Sequence, residues 1–427
     1  MNVADSEVVA AILQQQKYRI TDQITEADLI LVNTCSVRDH AEQRVRSRLR
    51  DFRQIKQKNP GVSVGVIGCM AERLKEELLE DEPLVDLVAG PDAYRRLPLL
   101  LDMVEHRQKG IDTLLSTEET YDDIEPVRMD KNHVTSFVAI MRGCNNRCAY
   151  CVVPDTRGRE RSRDPETILR EAAGLFENGY REVTLLGQNV NSYRWDKKGG
   201  LVTFEKLLEM VAGIDPKLRV RFATSHPKDM TGDLLKVMAQ HPSLCRSVHL
   251  PLQSGSSDVL KRMNRRYTRE QYMDRISAIR KYLPGASVST DIIAGFCGET
   301  EEEHRQTLSM MEWAGYDFSY MFKYSERPGT LAARRYRDDV PEDVKTRRLN
   351  EIIELQMKLS LTSKEREVGH ILEVLAEGTS KKSEDYLYGR SSQNKVVVFP
   401  RRQFKPGEYI QVQITGCTSA TLIGEPV

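Results

Sequence analysis

The chain has 427 residues, of which 40% are hydrophobic and 30% charged, and its 63 basic residues balance its 63 acidic ones. This length predicts two to four domains with packed cores, and the zero net charge gives no general attraction to nucleic acid. The chain has no apolar run of about 18 residues and no N-terminal signal segment, so we expect a cytoplasmic protein without membrane contact, whose clustered cysteines serve metal binding or catalysis rather than disulfides.

Helices and strands alternate over residues 1–114. A first helix has apolar residues at helical spacing behind Asp5 and Ser6, which we expect to cap it. Two apolar strands follow, and they end at Cys35 and Cys69. Strands separated by helices pair in parallel, so we predict a doubly wound α/β domain with both cysteines at the edge where ligands gather. Two small buried hydrophobic residues are the alternative interpretation.

The remaining chain predicts a linker and two further domains. Residues 115–132 are acidic and polar, which is typical of a linker. Residues 133–365 contain six strand-like runs separated by helices and end in a charged helix, so we predict a partial (β/α)6 barrel with its chemistry at the carboxyl ends of the strands. Residues 366–427 carry short β runs between Gly and Pro residues and predict a small all-β, OB-like module.

A cysteine cluster follows the first barrel strand, in the segment RGCNNRCAYCVVP. Cys144, Cys148 and Cys151 form a C-x3-C-x2-C pattern that chance seldom produces in a chain with eight cysteines, so the cluster binds something. Zinc prefers four ligands, and the loop has no histidine. Three thiolates suit three corners of a [4Fe–4S] cube, which leaves one iron open for a cofactor or substrate. A structural cluster or a zinc site is the alternative.

This pattern, with Tyr150 before the last cysteine, resembles the radical S-adenosylmethionine (SAM) superfamily. The resemblance implies that the open iron binds SAM and that one electron splits SAM to a 5′-deoxyadenosyl radical. Further motifs, in matching order over essentially the whole chain, are similar to those of the methylthiotransferases. These motifs are CVVPDTRGRERSR, LLGQNVNSY, HLPLQSGSSDVLKRMNRRYT, TDIIAGF with GET, and YSERPGTLAAR.

Resemblance to the methylthiotransferases implies two [4Fe–4S] clusters and an RNA-binding TRAM module at the C-terminus. Cys35 and Cys69 match the second and third cysteines that hold the auxiliary cluster. The first such cysteine belongs to a GCQMN-like motif after an initial strand, and this chain begins at the MN of that motif, so that the first strand and the third ligand are missing. We therefore expect the natural protein to be longer. The chain as it stands is expected to form the radical but to transfer methylthio groups poorly.

The TRAM segment GRSSQNKVVVF is similar to that of the branch acting on isopentenyladenosine, with Arg390, Asn394 and Lys395 as RNA contacts. This similarity implies methylthiolation of C2 of N(6)-isopentenyladenosine beside the tRNA anticodon, with one SAM as methyl donor, a second as radical source, and sulfur from the auxiliary cluster. The implied partners of a monomer are tRNA, a one-electron reductant of flavodoxin or ferredoxin type, and a sulfur donor. Alternatives are a relative acting on threonylcarbamoyladenosine or a ribosomal-protein aspartate, and a non-catalytic iron–sulfur RNA-binding protein.

Other candidate contacts follow from position. Residues at or near strand ends, together with Tyr150, are candidates for binding SAM or substrate. They are Gln188, Asn189, Ser225, His226, Gln253 and Asp291. His226 precedes a proline, so bracing of the loop is an equal alternative. Residues 142–163 contain six arginines against two acids, and we predict that one or two of them, with Arg157 and Arg159 as candidates, contact RNA phosphates.

Overall fold

A computed structural model describes residues 1–35, 39–130, 132–197 and 200–427 of the chain. The chain divides into two compact units, each made of several segments. The N-terminal unit comprises Met1–Met129, Met141–Arg147 and Cys151–Thr167. The C-terminal unit comprises Asp130–Ile140, Cys148–Tyr150 and Ile168–Val427.

The first part of the N-terminal unit is a parallel sheet with helices. Its elements are α1 (Asn2–Gln15), β1 (Leu29–Thr34), α2 (Asp39–Lys58), β2 (Ser63–Gly68), α3 (Cys69–Leu74), α4 (Glu76–Asp81), β3 (Leu87–Ala89), α5 (Leu97–Glu105) and β4 (Gly110–Asp112). The four strands pair in parallel in the order β1-β2-β3-β4. The sequence did not predict β4, because its three residues are too few to show a periodic pattern.

Helices cover both faces of this sheet. Ile67 of β2 packs in one core with α1 and α5, whereas Val64 and Val66 of the same strand pack in a second core with α2, α3 and α4. Alternate side chains of a strand point to opposite faces, so two apolar cores form on one sheet. The predicted doubly wound α/β domain is confirmed.

Two expectations for this unit are corrected. Asp5 does not cap α1, because the helix begins at Asn2 with Met1 as its N-cap residue, and Asp5 is buried in an ion pair instead. The segment predicted as a linker is packed, since Tyr121 and Ile124 are buried in the core with α1 and α5. The Tyr121 hydroxyl also donates to the Pro91 carbonyl oxygen at 3.1 Å. The domain boundaries themselves stay a prediction.

The middle of the chain contains the partial barrel. Its elements are β5 (Thr135–Ala139), β6 (Met141–Arg142), α6 (Val153–Arg157), β7 (Arg161–Ser162), α7 (Pro165–Glu177), β8 (Glu182–Leu186), β9 (Arg194–Lys197), β10 (Gly200–Thr203), α8 (Phe204–Ala212), β11 (Arg219–Phe222), α9 (Gly232–Gln240), β12 (Ser247–His249), α10 (Ser257–Arg262), α11 (Arg269–Tyr282), β13 (Ser287–Ala294), α12 (Glu301–Ala314), β14 (Phe318–Lys323) and α13 (Leu331–Arg335). Short 3-10 turns lie at Ile24–Glu26, Tyr94–Arg96, Val190–Ser192 and Pro227–Asp229.

Six parallel strands of the C-terminal unit form the barrel arc. β5, β8 and β11 make one sheet and β12, β13 and β14 a second, and Val220 pairs with Leu244 between them. Each of the six predicted strand-like runs contains one of these strands, so the predicted partial (β/α)6 barrel is confirmed. Its carboxyl strand ends carry the polar residues discussed below.

The chain ends in a long helix and a closed five-stranded barrel. These elements are α14 (Glu342–Glu365), β15 (Ile371–Thr379), β16 (Tyr386–Ser391), β17 (Val396–Pro400), β18 (Tyr409–Cys417) and β19 (Leu422–Pro426). The barrel order is β15-β16-β17-β19-β18, and the predicted OB-like module is confirmed. In the described part of the chain, no helix is long and apolar enough to cross a bilayer.

Candidate active site

The three-cysteine loop begins at a tight backbone crossing in the N-terminal unit. β6 pairs with β7 in antiparallel fashion, and Gly143 follows β6 with a φ of +75°. A side chain on Gly143 would collide with the carbonyl oxygens of Arg159 and Gly158, so the crossing requires glycine. The Cys144 amide then donates to the Gly158 carbonyl oxygen at 3.1 Å. This closed hairpin fixes the position of the first cysteine.

Backbone amides point at two of the three sulfurs. The Asn146 N–H lies 3.4 Å from Cys144 Sγ, and the Val153 N–H lies 3.4 Å from Cys151 Sγ. In both cases the donor stands two residues after the cysteine. Hydrogen bonds to a sulfur favour its charged, metal-ligating form, and they tune the reduction potential of iron–sulfur clusters.

The third sulfur, that of Cys148, belongs to the C-terminal unit and accepts from a side chain of the same unit. Arg265 Nη1 lies 3.1 Å from Cys148 Sγ and 3.4 Å from the Tyr150 hydroxyl. The next residue, Ala149, is held by its amide, which donates to the Met263 carbonyl oxygen at 2.8 Å. Cys148 is therefore positioned by the segment that carries Arg265.

These donors fit the predicted ligands of a [4Fe–4S] cluster. Among the described residues, no three side chains of Cys, His, Asp or Glu are arranged to hold a single metal ion. A cube does not need such convergence, because each cysteine ligates its own iron. Three cysteines without a fourth ligand in the loop suit such a cube better than a zinc ion, which takes four ligands at one point.

The arginines of residues 142–163 divide into two groups in the N-terminal unit. Four of the six are buried: Arg142, Arg157, Arg161 and Arg163. Arg147 and Arg159 are exposed and line an open polar pocket with Cys144. The expectation that Arg157 contacts RNA is wrong, because it is 4% exposed and donates to Asp5 and Cys69. Phosphate contact remains a prediction for Arg159, and the exposed Arg147 is a second candidate for such a contact.

Orphaned polar atoms mark the carboxyl ends of two barrel strands. Gln188 Oε1 and Asn189 Oδ1 follow β8, Ser225 Oγ follows β11, and all three atoms are buried without a hydrogen-bond partner among the described residues. Buried polar atoms are rarely left unpaired unless a ligand or water satisfies them. Their position past the strand ends fits a cofactor with many polar groups, such as SAM.

The other strand-end candidates have protein partners. His226 Nδ1 accepts from the Lys228 amide at 3.3 Å, and burial, reinforced by nearby Arg265, lowers the pKa of His226 to about 2. His226 thus stays neutral and braces its loop. The backbone N–H of Gln253 donates to the backbone carbonyl oxygen of Asp291 at 2.8 Å, and Gln253 has a φ of +69°. Their roles in binding SAM stay predictions.

The two N-terminal cysteines lie at one edge of the sheet. β1 and β2 pair in register with Thr34 opposite Gly68, so Cys35 and Cys69 follow directly on neighbouring strand ends. Cys69 opens α3 after Gly68, which has a φ of +88°. This location agrees with the prediction that both cysteines lie at the carboxyl edge of the sheet, where ligands bind. Residues 36–38, which follow Cys35, lie outside the described residues.

A buried ion-pair network of the N-terminal unit reaches Cys69. Arg157 Nε lies 3.1 Å from Cys69 Sγ, and Arg157 Nη2 binds the Asp5 carboxylate at 2.6 Å. Arg142 Nη1 binds the other Asp5 oxygen at 2.9 Å. Glu72 of α3 stands three residues after Cys69 and is buried. Burial raises the pKa of Glu72 to about 8, so its carboxyl group is largely neutral at pH 7. Opposite charges inside this unit thus compensate one another beside one candidate ligand.

The predicted RNA residues of the C-terminal module differ in access. Lys395 does not face an RNA ligand, because it is 9% exposed and its ammonium group binds Glu367 at 2.6 Å. Arg390 is partly exposed and binds Glu377 at 2.8 Å. Asn394 is exposed at a turn position with a φ of +63°. Asn394 and Arg390 stay candidates, whereas the prediction for Lys395 is wrong.

Sequence reasoning missed Arg265 and the role of Asp5. Arg265 stands 117 residues from Cys148, and Asp5 stands 152 residues from Arg157. The only signal for Arg265 was its place in the motif HLPLQSGSSDVLKRMNRRYT, which contains three other basic residues, Lys261, Arg262 and Arg266. Nothing local separates a buried arginine from an exposed one.

Comparisons with known proteins agree with this arrangement. Family profiles match "Radical SAM superfamily" at residues 138–311, "Uncharacterized protein family UPF0004" at 1–90 and "TRAM domain" at 365–427. A solved structure of the radical SAM methyltransferase TsrM from Kitasatospora setae covers 78% of this chain and 72% of its own at 15% identity, with a TM-score of 0.58. At that identity the likeness concerns the fold alone.

Curated relatives match along the whole chain. The tRNA-2-methylthio-N(6)-dimethylallyladenosine synthase of Amoebophilus asiaticus is 57% identical, over 100% of this chain and 90% of its own. Those of Bacteroides fragilis and Flavobacterium johnsoniae are 56% and 53% identical, over 100% of this chain and 93% and 92% of theirs.

The partial barrel and its three-cysteine loop define a radical SAM protein. With these relatives, the chain belongs to the tRNA-2-methylthio-N(6)-dimethylallyladenosine synthase family.

Proposed function

We propose that this protein is a radical SAM enzyme that adds a methylthio group to C2 of N(6)-isopentenyladenosine beside the anticodon of tRNA. The observation that carries this proposal is the identity of 57% with a synthase of that name along the whole chain. The three loop sulfurs, each with an N–H donor, support the same chemistry. One SAM supplies the methyl group and a second is the source of the radical.

The cysteines divide between two [4Fe–4S] clusters. Cys144, Cys148 and Cys151 hold the cluster that binds SAM, and Cys35 and Cys69 are ligands of the auxiliary cluster. When bound, the first cluster supplies the electron that cleaves SAM, and the second supplies the sulfur that is transferred. The chain's own donors, at 3.1–3.4 Å from the loop sulfurs, orient those ligands.

The remaining site residues bind and orient SAM and the substrate. Gln188, Asn189 and Ser225 place unsatisfied polar atoms at the strand ends, where the polar groups of SAM bind. We assign Tyr150, Gln253 and Asp291 as further contacts. The tRNA backbone binds the exposed Arg147 and Arg159, because positive side chains around the entrance to a site attract phosphates.

The reaction requires partners besides tRNA. The electron comes from a one-electron reductant of flavodoxin or ferredoxin type, and the sulfur is replenished by a donor system. The TRAM-like barrel, with Arg390 and Asn394, adds contacts to the RNA.

Nucleoside analysis of tRNA tests the substrate assignment. In a strain lacking the gene, we expect isopentenyladenosine to accumulate without its methylthio derivative, and the intact gene to restore the derivative. Persistence of the methylthio nucleoside contradicts the proposal. Loss of a methylthio group from threonylcarbamoyladenosine or from a ribosomal-protein aspartate instead assigns the chain to a neighbouring reaction.

Cleavage of SAM by the reduced, cluster-loaded protein tests the catalytic class. We expect 5′-deoxyadenosine from the wild type and at least a hundredfold loss, on the order of 3 kcal/mol, in Cys144→Ala, Cys148→Ala and Cys151→Ala. Cys417→Ala in the C-terminal barrel is the matched control and keeps full cleavage. A wild-type protein that binds iron but yields no 5′-deoxyadenosine would support a non-catalytic iron–sulfur protein.

A further inference from the structure

Arg265 has an unusual set of partners in the C-terminal unit. The residue lies in the turn between α10 and α11, and it is 5% exposed. Its Nη1 donates to Cys148 Sγ at 3.1 Å and its Nε to the Tyr267 hydroxyl at 3.1 Å. Its Nη2 lies 3.4 Å from the Pro251 carbonyl oxygen. The guanidinium is thus held in one orientation, with one edge directed at the sulfur.

No carboxylate neutralises this guanidinium. Among the described residues, no Asp or Glu oxygen lies within 4.0 Å of Arg265, and its oxygen partners are hydroxyl and carbonyl groups. A buried cation without an anion costs several kcal/mol of folding free energy. Cys148 is the one contact of Arg265 that becomes an anion as a metal ligand. The site therefore carries a positive charge that a cluster on Cys148 would meet.

We propose that Arg265 is a positioning residue that orients Cys148 and supplies the buried counter-charge setting the reduction potential of the SAM-binding cluster. This inference rests on the proposed function, since it assumes a [4Fe–4S] cluster at the three-cysteine loop. A reduced cluster carries one more negative charge than the oxidised cluster, so a nearby buried cation favours reduction.

Tyr267 keeps the guanidinium in place. Its hydroxyl accepts from Arg265 Nε and donates toward the carbonyl oxygens of Pro251 at 3.0 Å and Leu252 at 2.9 Å. The Tyr267 ring also lies 5.3 Å from the guanidinium carbon. Tyr267→Phe would remove this anchor and keep the charge, so it separates the orientation of Arg265 from its charge.

A purely structural role for Arg265 gives different expectations. Arg265 also ties the Pro251 carbonyl to the turn, and its loss would loosen that segment. Looser packing lowers stability and activity whether or not a charge is lost. Tyr267→Phe loosens the packing around Arg265 but keeps the positive charge near the cluster. A potential that follows the charge across variants therefore distinguishes the two roles.

The test is an electron paramagnetic resonance redox titration of the full-length, cluster-loaded protein. A Cys35→Ala/Cys69→Ala background, which lacks both auxiliary ligands, is titrated in parallel, so the SAM-sensitive signal that remains there is assigned to the three-cysteine loop. Arg265→Met and Arg265→Gln remove the charge, Arg265→Lys keeps it, and Arg266→Met is the matched control, because Arg266 is the exposed neighbour. Iron content and thermal unfolding are measured alongside. Should Arg265→Met lose its iron, Arg265→Gln and Arg265→Lys carry the comparison.

We expect Arg265→Met and Arg265→Gln to lower the reduction equilibrium constant at least tenfold, which is about 59 mV for one electron. Arg265→Lys should have a reduction potential close to that of the wild type. Tyr267→Phe should lower the potential by less than Arg265→Met does, and Arg266→Met should leave it unchanged. Shifts below threefold in both neutral variants, with normal iron content, overturn the inference and leave the proposed function intact. A wild-type protein without a SAM-sensitive signal instead refutes the proposed function.

Discussion

Two buried arginines donate to cysteine sulfurs at the same distance, one in each unit. Arg157 Nε lies 3.1 Å from Cys69 Sγ, and Arg265 Nη1 lies 3.1 Å from Cys148 Sγ. Arg157 also binds the Asp5 carboxylate, whereas Arg265 has only hydroxyl and carbonyl oxygens around it. The same contact therefore belongs to a compensated network in one unit and to an uncompensated charge in the other.

This difference separates structural from electrostatic roles. In the N-terminal unit, Asp5 and Asp92 neutralise most of the charge of three arginines, so the network stabilises the fold without a ligand. In the C-terminal unit, the energy of burying Arg265 is offset fully only when Cys148 and its ligand carry negative charge. Substitutions in the two units should consequently change stability by different amounts.

The largest expected effect is that of Asp5→Ala. It leaves Arg142 and Arg157 buried without their shared carboxylate, and we expect it to reduce the free energy of unfolding of the N-terminal unit by about 3–5 kcal/mol. Urea titration followed by hydrogen exchange of peptides from α1 measures this loss. Asp22→Ala, at an exposed aspartate, is the control and should change it by less than about 0.5 kcal/mol. A small loss in Asp5→Ala would mean that the network is not compensated by Asp5.

A double-mutant cycle measures the compensation itself. Arg157→Met and Asp5→Asn each break the pair. We expect the free energy of unfolding lost in the double variant to be smaller, by about 1–3 kcal/mol, than the sum of the two single losses. The same urea titration gives the coupling energy. Additive losses would show that Arg157 and Asp5 act independently in spite of their 2.6 Å contact.

The N-terminal unit should lose stability as the pH rises. Burial raises the pKa of Glu72 from its ordinary value of 4.5 to about 8, so the folded unit binds a proton that the unfolded chain releases between these values. We expect a loss of about 1.4 kcal/mol per pH unit at most in that window. Glu72→Gln should flatten the dependence in urea titrations at several pH values. An equally steep profile in this variant would contradict the assignment.

The C-terminal unit should respond with the opposite sign. The pKa of His226 is lowered from 6.5 to about 2, first by burial and then by Arg265, so the unfolded chain binds a proton that the folded unit excludes. We expect stability to fall by about 1.4 kcal/mol per pH unit at most as the pH drops below 6.5. Arg265→Met should raise the His226 pKa, which NMR titration of the ring measures. An unchanged value would show that Arg265 exerts little field there.

The smallest expected effect is that of Arg265→Met on the iron-free protein. Lost hydrogen bonds are offset by removal of an uncompensated buried charge, so we expect the free energy of unfolding of the C-terminal unit to change by less than about 1 kcal/mol. Arg157→Met in the same protein should cost more, since it leaves Asp5 with one partner fewer. Equal losses in the two variants would abolish the distinction between the units.

Much of the fold followed from the sequence, and the cysteine pattern predicted the candidate cluster ligands. Apolar runs separated by helices predicted the six parallel strands of the barrel arc, because each strand's pattern is local. The cysteine spacing predicted Cys144, Cys148 and Cys151 as one group for the same reason. Arg157 and Lys395 were assigned wrongly, since a cation in a basic segment looks the same whether it is exposed or buried against a carboxylate.

By itself, the sequence determined the order of the domains, the three-cysteine loop and the family to which the chain belongs. Only the tertiary structure decided which arginines are buried and which carboxylate or sulfur each of them meets. Spacing along the chain sets ligands that lie within one loop, whereas the partner of a buried charge can come from a distant segment, as with Cys148 and Arg265, which are 117 residues apart. A buried charge must be met somewhere, and folding alone determines where.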